Sequence, residues 1–201
     1  YNGEEIGMTD YLLTDINQVK DTMGSWYYHA IVTEMGVHPQ EAMVRTAEMT
    51  RDKNRTPMHW DGSPNAGFSP ADVKTWLPVN PNYKQAINVK DQELNPASLL
   101  NYYKHLLRMR KETPALMEGE YKPIHAQADE YFAFLRITET QAVLVVLNFS
   151  EDRLTLDFSD VSEMSNKTLH PLFSSAIRSN AAQTPDMVII SPFEAFIAEI
   201  R

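Results

Sequence analysis

The sequence contains no cysteine. That absence excludes disulfides, thiolate nucleophiles and thiolate zinc sites together, and it fits a reducing, cytoplasmic compartment. Glycine is scarce, at 7 of 201 residues, and no Gly-rich phosphate loop or Gly-x-Ser-x-Gly nucleophile elbow occurs. No apolar run approaches the roughly 18 residues a membrane span needs, so no membrane partner is expected. The opening Tyr1-Asn2-Gly3-Glu4-Glu5 lacks the basic flank and apolar block of a signal peptide. Positive charge is in deficit, with 18 Lys and Arg against 27 Asp and Glu and a net charge of −9. An acidic surface repels phosphate backbones, so nucleic acid is not an expected partner. The histidines are scattered at His29, His38, His59, His105, His125 and His170. None pairs with another at zinc-ligand spacing, and no calcium loop is present, so neither a metal nor a cofactor is expected.

What is present changes character near residue 115. Before it, 16–35 reads as helical with Gly24 as a weak point, and Gly36 suits the helix end. Pro39-Gln40-Glu41 opens a second helix over 39–49. Residues 51–95 carry Pro57, Pro64, Pro70, Pro78 and Pro81 and no sustained period. So long a stretch is either functional or disordered. Trp60, Phe68, Trp76, Leu77, Tyr83 and Ile87 supply large apolar anchors, which favours an ordered, functional loop. Over 95–111, Asn95 as cap, Pro96 at the first position and a stripe of Leu99, Tyr103, Leu106 and Met109 or Arg110 predict a helix packed into a core. After Pro114 the reading is all strand: 119–125, 130–138, 141–149, 153–158, 167–173, 186–190 and 193–200. The last begins on Phe193, with Phe196 and Ile197 also apolar. Many short strands at this spacing predict an antiparallel β-sandwich.

With thiols, metals and triads excluded, carboxylate chemistry remains. Glycosidases need an ionised and a protonated carboxyl group on either side of the scissile bond. Glu4 and Glu5 are sequence neighbours and point apart on a strand, a poor arrangement for such a pair. The stretch 50–68, TRDKNRTPMHWDGSPNAGF, holds Arg51, Asp52, Arg55, Trp60 and Asp61 in one loop. Guanidinium forks beside aromatics and carboxylates suit a sugar site, and equally a salt-bridged structural loop.

The motifs YNGEEIGMTD (1–10), RDKNRTPMHWDGSPNAGFS (51–69) and WLPVNPNYKQAINV (76–89) resemble glycoside hydrolase family 13. The likeness is to its oligo-1,6-glucosidase, dextran glucosidase and maltase branch. SLLNYYKHLLRMRKETPAL (98–116) and SPFEAFIAEI (191–200) fit the same family, and the likeness is weakest over 120–185. The resemblance implies an α+β fragment. Residues 1–114 would be the C-terminal end of a (β/α)8 barrel with its long active-site loop and last helix, and 115–201 an antiparallel β-sandwich. It implies a retaining α-glucosidase acting on α-1,6 or α-1,4 gluco-oligosaccharides at the non-reducing end. The family's nucleophile, acid/base and stabilising Asp lie on earlier barrel motifs that this sequence does not contain. The chain, which starts at Tyr1 rather than Met, is therefore expected to be a fragment without catalytic residues, inactive alone, and to meet its oligosaccharide only with the remainder of the barrel. Arg51 carries over as a substrate-binding residue, paired with an upstream Asp at the base of subsite −1. Glu5, Asp52 and Arg55 match motif positions and are expected in structural ion pairs. His59 stands where this branch more usually has Gln. Sucrose isomerases share the region, and non-catalytic heavy-chain subunits of amino-acid transporters resemble the family without its carboxylates.

Overall fold

The computed structural model describes residues 1–201. The chain divides into two compact units, Tyr1–Leu106 and Leu107–Arg201. No helix is long and apolar enough to cross a membrane.

The first unit begins with a short 3-10 turn at Glu4–Ile6 and another at Ile16–Gln18. Helices α1 (Thr22–Thr33) and α2 (Pro39–Met49) follow and pack on each other. Helix α1 is shorter than the sequence predicts. Residues 19–21 are extended rather than helical, and beyond Thr33 the Val37 N–H returns to the Ile31 carbonyl while Gly36 takes a left-handed φ of 67°. Helix α2 starts on Pro39 as expected, with His38 Nδ1 accepting the Gln40 N–H. It buries Ala42, Met43, Thr46 and Ala47, which fall on one helical face. Met43 and Ala47 join Leu13 and Leu77 in an apolar cluster. Gly24, a defect by propensity, is a close-approach site: a Cβ there would lie 2.8 Å from Thr50 Oγ1 and 2.9 Å from Thr50 Cβ.

Residues 51–95 form an ordered loop, but not for the reason the sequence offered. Of the six apolar anchors only Leu77 and Tyr83 are buried; Trp60 and Trp76 are each half exposed. Side-chain amides hold the loop instead. Asn80 Nδ2 donates to the Thr9 carbonyl, Gln92 Nε2 to the Ile6 carbonyl and Asn88 Nδ2 to the Tyr83 carbonyl, while Asn65 Nδ2 reaches the carbonyls of Pro70 and Val73. An Asn or Gln side chain can satisfy buried backbone groups that no ladder reaches. Asn88 also caps helix α3 (Val89–Glu93) by accepting the Asp91 N–H.

Helix α4 (Leu99–Glu112) starts later than predicted. Asn95 accepts from Ala97 N–H in a turn, and Ser98 Oγ accepts the Asn101 N–H at the helix start. Ser98 therefore caps in place of Asn95, because residues 96–98 belong to that turn. The expected stripe is only partly buried: Leu99 and Tyr103 remain well exposed, and Leu100 is the buried residue, packed with Ile6 and Met58.

The second unit opens with α5 (Pro114–Glu118) and seven strands: β1 (Glu120–Ile124), β2 (Tyr131–Ile137), β3 (Ala142–Asn148), β4 (Leu154–Leu156), β5 (Leu169–Ser174), β6 (Val188–Ile190) and β7 (Ala195–Ile200). All pairings are antiparallel, in a five-stranded sheet ordered β1-β2-β3-β7-β5 and a two-stranded sheet β4-β6. Pro123 and Pro171 lie in β1 and β5, the edge strands, where a missing N–H costs no central ladder bond. Strand β3 is apolar at successive positions because both its faces are covered. Leu144 and Val146 join Leu154, Leu156, Val188 and Ile190 of the smaller sheet; Val143 and Val145 pack with Ala115, Leu116 and Met109. The final strand starts at Ala195, not Phe193, which is exposed with a φ of 52°. That turn sends Glu194 inward. Its carboxylate accepts from Ser174 Oγ at 2.6 Å and Ser191 N–H at 2.7 Å, and lies 3.0 Å from Arg178 Nε.

Candidate active-site loop

The three motifs that carried the family resemblance meet in the first unit, the first of them about forty residues ahead of the other two. Tyr11 N–H donates to the Lys53 carbonyl at 2.8 Å, and Lys53 Nζ lies 3.2 Å from Asp10. Trp76 Nε1 donates to the Arg55 carbonyl at 3.0 Å, and the Val89 N–H to the His59 carbonyl at 3.0 Å. A depression of about 340 Å3 opens between the first two motifs, lined by Asn2, Glu4, Asp10, Asn54 and Thr56 among others.

Arg51 follows α2 at the head of a 3-10 turn, Arg51–Asn54, whose N-cap Thr50 accepts the Asp52 N–H. Its side chain is 65% exposed, with Nη2 3.5 Å from Asp21 Oδ1. Asp21 also accepts the Arg51 backbone N–H at 3.2 Å and the Thr50 hydroxyl at 3.4 Å. Burial pushes the Asp21 carboxyl up. Hydrogen bonds from the Arg51 N–H and guanidinium outweigh it, so its pKa lies below the ordinary carboxylate value. Asp52 returns the arrangement. It is 2% exposed, and its Oδ2 accepts the Lys20 N–H at 2.6 Å and the Asp21 N–H at 2.7 Å. Two carboxylates thus brace 20–21 and 50–52 against each other, and the Arg51 guanidinium projects from the brace.

Asp21 is the residue that sequence reasoning missed. It lies thirty positions from Arg51, inside a segment read as helical. The signal available was an Asp immediately before Thr22, the place of a helix cap. Asp21 makes no capping bond, because its carboxylate is spent on Thr50 and Arg51.

The ion pairs expected at Glu5, Asp52 and Arg55 take other forms. Glu5 Oε2 accepts the Gly3 N–H at 3.0 Å and closes the N-terminal turn, in which Gly3 has a φ of 95°. Asp52 is held by backbone donors, and Arg55 contributes its carbonyl to Trp76. The ion pairs of the region are Arg51–Asp21, Lys53–Asp10 and the Tyr1 N-terminus with Glu4. A carboxylate that caps backbone N–H groups needs no cation beside it.

His59 is fully buried. Its Nδ1 meets the Ile87 carbonyl at 2.9 Å and its Nε2 has no hydrogen-bond partner. Burial lowers its pKa below 6.5 against the raising effect of the Ile87 carbonyl, so the ring is neutral. Donation from Nδ1 to Ile87 then leaves Nε2 as an acceptor.

The family model described as Alpha amylase, catalytic domain, matches residues 1–119. The chain belongs to the α-amylase family. It is 40% identical over 153 residues to a probable oligo-1,6-glucosidase 2 of Bacillus subtilis (strain 168), covering 76% of this chain and 27% of that protein. It is 35% identical over its whole length to an oligo-1,6-glucosidase of Parageobacillus thermoglucosidasius, of which it covers 35%. Among solved structures, the trehalulose synthase of Pseudomonas mesoacidophila MX-45 superposes with a TM-score of 0.83 at 29% identity, and the isomaltulose synthase of Klebsiella sp. LX3 with 0.80 at 28%. Each match takes in all of this chain and 35% of the other. The chain therefore spans about a third of the length of the relatives it matches.

Proposed function

We propose that this chain forms the Arg51 wall of the active site and the C-terminal β-sandwich of a retaining α-glucosidase. That enzyme acts on α-1,6- or α-1,4-linked gluco-oligosaccharides at the non-reducing end. Residues 1–114 belong to its barrel domain and 115–201 form the sandwich. Arg51 binds the terminal glucose, and Glu5, Asp52 and Arg55 hold the loop that carries it. The nucleophile, the acid/base and the stabilising Asp are assigned to the remainder of the barrel, so the 201-residue chain alone turns over no substrate.

The observation that carries this reading is the guanidinium of Arg51. One edge rests on Asp21 while the side chain stays 65% exposed, which leaves donors free to grip a further carboxylate and a sugar hydroxyl at once. The buried acids of the chain support the second half of the proposal. Asp21, Asp52 and Glu194 are each buried and engaged by donors of this chain, whereas a glycosidase acid and nucleophile must face an open cleft about 5–5.5 Å apart. Sucrose isomerisation is the second reading, favoured by the structural likeness to two sucrose isomerases; the 40% and 35% identity to two oligo-1,6-glucosidases, against 28–29% to those isomerases, favours hydrolysis.

The tests are kinetic. Pure 201-residue chain should show no hydrolysis of p-nitrophenyl-α-glucoside, and measurable turnover would refute the division of labour. In the longer enzyme, Arg51→Ala should lower kcat/KM on the order of 100-fold, because the bound glucose loses a charged hydrogen-bond donor. A change under about threefold, well below 1 kcal/mol of lost transition-state binding, would make Arg51 a loop brace only.

A further inference from the structure

A smaller depression, about 140 Å3, opens beside Trp76 and is lined by Asn17, Gln18, Lys20, Lys74 and Pro78 among others. We infer that it is a second carbohydrate site, taking one glucosyl unit of an α-linked gluco-oligosaccharide. The inference rests on the α-glucosidase reading and adds a site to it, since Arg51 is not among the lining residues.

Three features support it. The first is a rigid aromatic platform. Trp76 is 53% exposed, yet its Nε1–H is committed to the Arg55 carbonyl at 3.0 Å and its ring meets Phe68 edge-on at 4.9 Å and 85°. With its polar handle satisfied inside the chain, the half-exposed indole presents apolar aromatic surface, which can take the C–H face of a pyranose. A ring already fixed in orientation loses little freedom when a ligand stacks on it.

The second feature is a rim of uncommitted polar groups. Gln18, Lys20 and Lys74 direct no side-chain hydrogen bond or ion pair to the rest of the chain. Asn17 spends its N–H and Nδ2 on Asp15 Oδ1, which leaves its own Oδ1 as an acceptor. An aromatic floor ringed by a few convergent donors and acceptors is the usual make-up of a small-molecule site, and adjacent sugar hydroxyls present both needs at once. The third feature is position. Lys20 precedes Asp21, which holds Arg51, and Arg55 holds Trp76. The depression is thus built on the same brace as the proposed glucose-binding arginine, where a second unit of one oligosaccharide would be retained.

The test uses the 201-residue chain labelled at its tryptophan indoles and titrated with isomaltotriose. The indole N–H resonance of Trp76 should shift saturably at millimolar sugar while those of Trp26 and Trp60 stay put, and Trp76→Ala should abolish binding. Because Trp76 also braces the loop, Gln18→Ala and Lys74→Ala provide variants that break no internal side-chain hydrogen bond or ion pair; each should weaken binding several-fold with an unchanged spectrum. Absence of a saturable shift, equal shifts at all three indoles, unchanged affinity in both rim variants, or equal binding of β-linked cellotriose would each overturn the inference. So would a response to inorganic phosphate with none to isomaltotriose, which would make the lysines an anion site. None of these outcomes touches the Arg51 kinetics, so the second site can fail while the α-glucosidase reading stands.

Discussion

Replacing Asp52 by alanine removes the acceptor of two backbone N–H groups at 2.6 and 2.7 Å, one of them buried. A hydrogen bond to a charged group contributes about 1.5–3 kcal/mol, and an N–H left buried without a partner adds to the loss. Water reaching the part-buried Lys20 N–H offsets some of it, so Asp52→Ala should cost on the order of 3 kcal/mol. With a urea dependence of about 1–3 kcal/mol per molar, the midpoint should fall by about 1–3 M. Arg51→Ala is the internal control. Its guanidinium is mostly exposed and 3.5 Å from Asp21, so its removal should cost under about 1 kcal/mol. The assay is favourable because Trp26, Trp60 and Trp76, the three tryptophans of the chain, all lie in the first unit. Urea titration followed by tryptophan fluorescence therefore reports that unit alone. If Asp52→Ala moved the midpoint no more than Arg51→Ala does, the reciprocal carboxylate brace would be refuted.

Three further outcomes follow from buried groups. The His59 ring is neutral in the fold with its pKa held below 6.5, so on acidification the unfolded chain takes up a proton that the fold refuses. Stability should be full above pH 6.5 and fall below it by up to about 1.4 kcal/mol per pH unit until the folded ring itself protonates. His59→Gln should remove that slope in fluorescence-detected urea midpoints between pH 7.5 and 5.5, and parallel profiles for the two proteins would sink the idea. Asp21 contributes in a lower window: its folded pKa is below 3.8, so its stabilisation is present above that value and lost as pH falls through the folded pKa. In the second unit, Glu194→Gln strips the countercharge from Arg178, whose guanidinium carbon also lies 4.2 Å from the Phe196 ring centre. Breaking a buried pair on one side costs about 3–5 kcal/mol, which circular dichroism of the β unit in urea should register as a lowered midpoint; an unchanged midpoint would show the pair to be solvated.

Local rules of the chain determined much of this protein unaided. Each of the seven strands overlaps a segment that the sequence marks as strand, although the last begins at Ala195 rather than Phe193, because turn chemistry such as Thr138 Oγ1 accepting the Gln141 N–H acts within a few residues. Helix α2, with Pro39 at its head, is equally local. The motif string carried the family and Arg51 as a candidate. Tertiary structure decided what depends on distance in sequence. It found Asp21 as the partner of Arg51, made Asp52 a backbone cap instead of an ion-pair member, moved the α4 cap from Asn95 to Ser98, and turned Phe193 outward so that Glu194 could reach Arg178. The physical reason is the same in each case. A carboxylate or an amide satisfies whichever donor or acceptor the fold brings within about 3 Å, and sequence spacing contains no record of which one that will be.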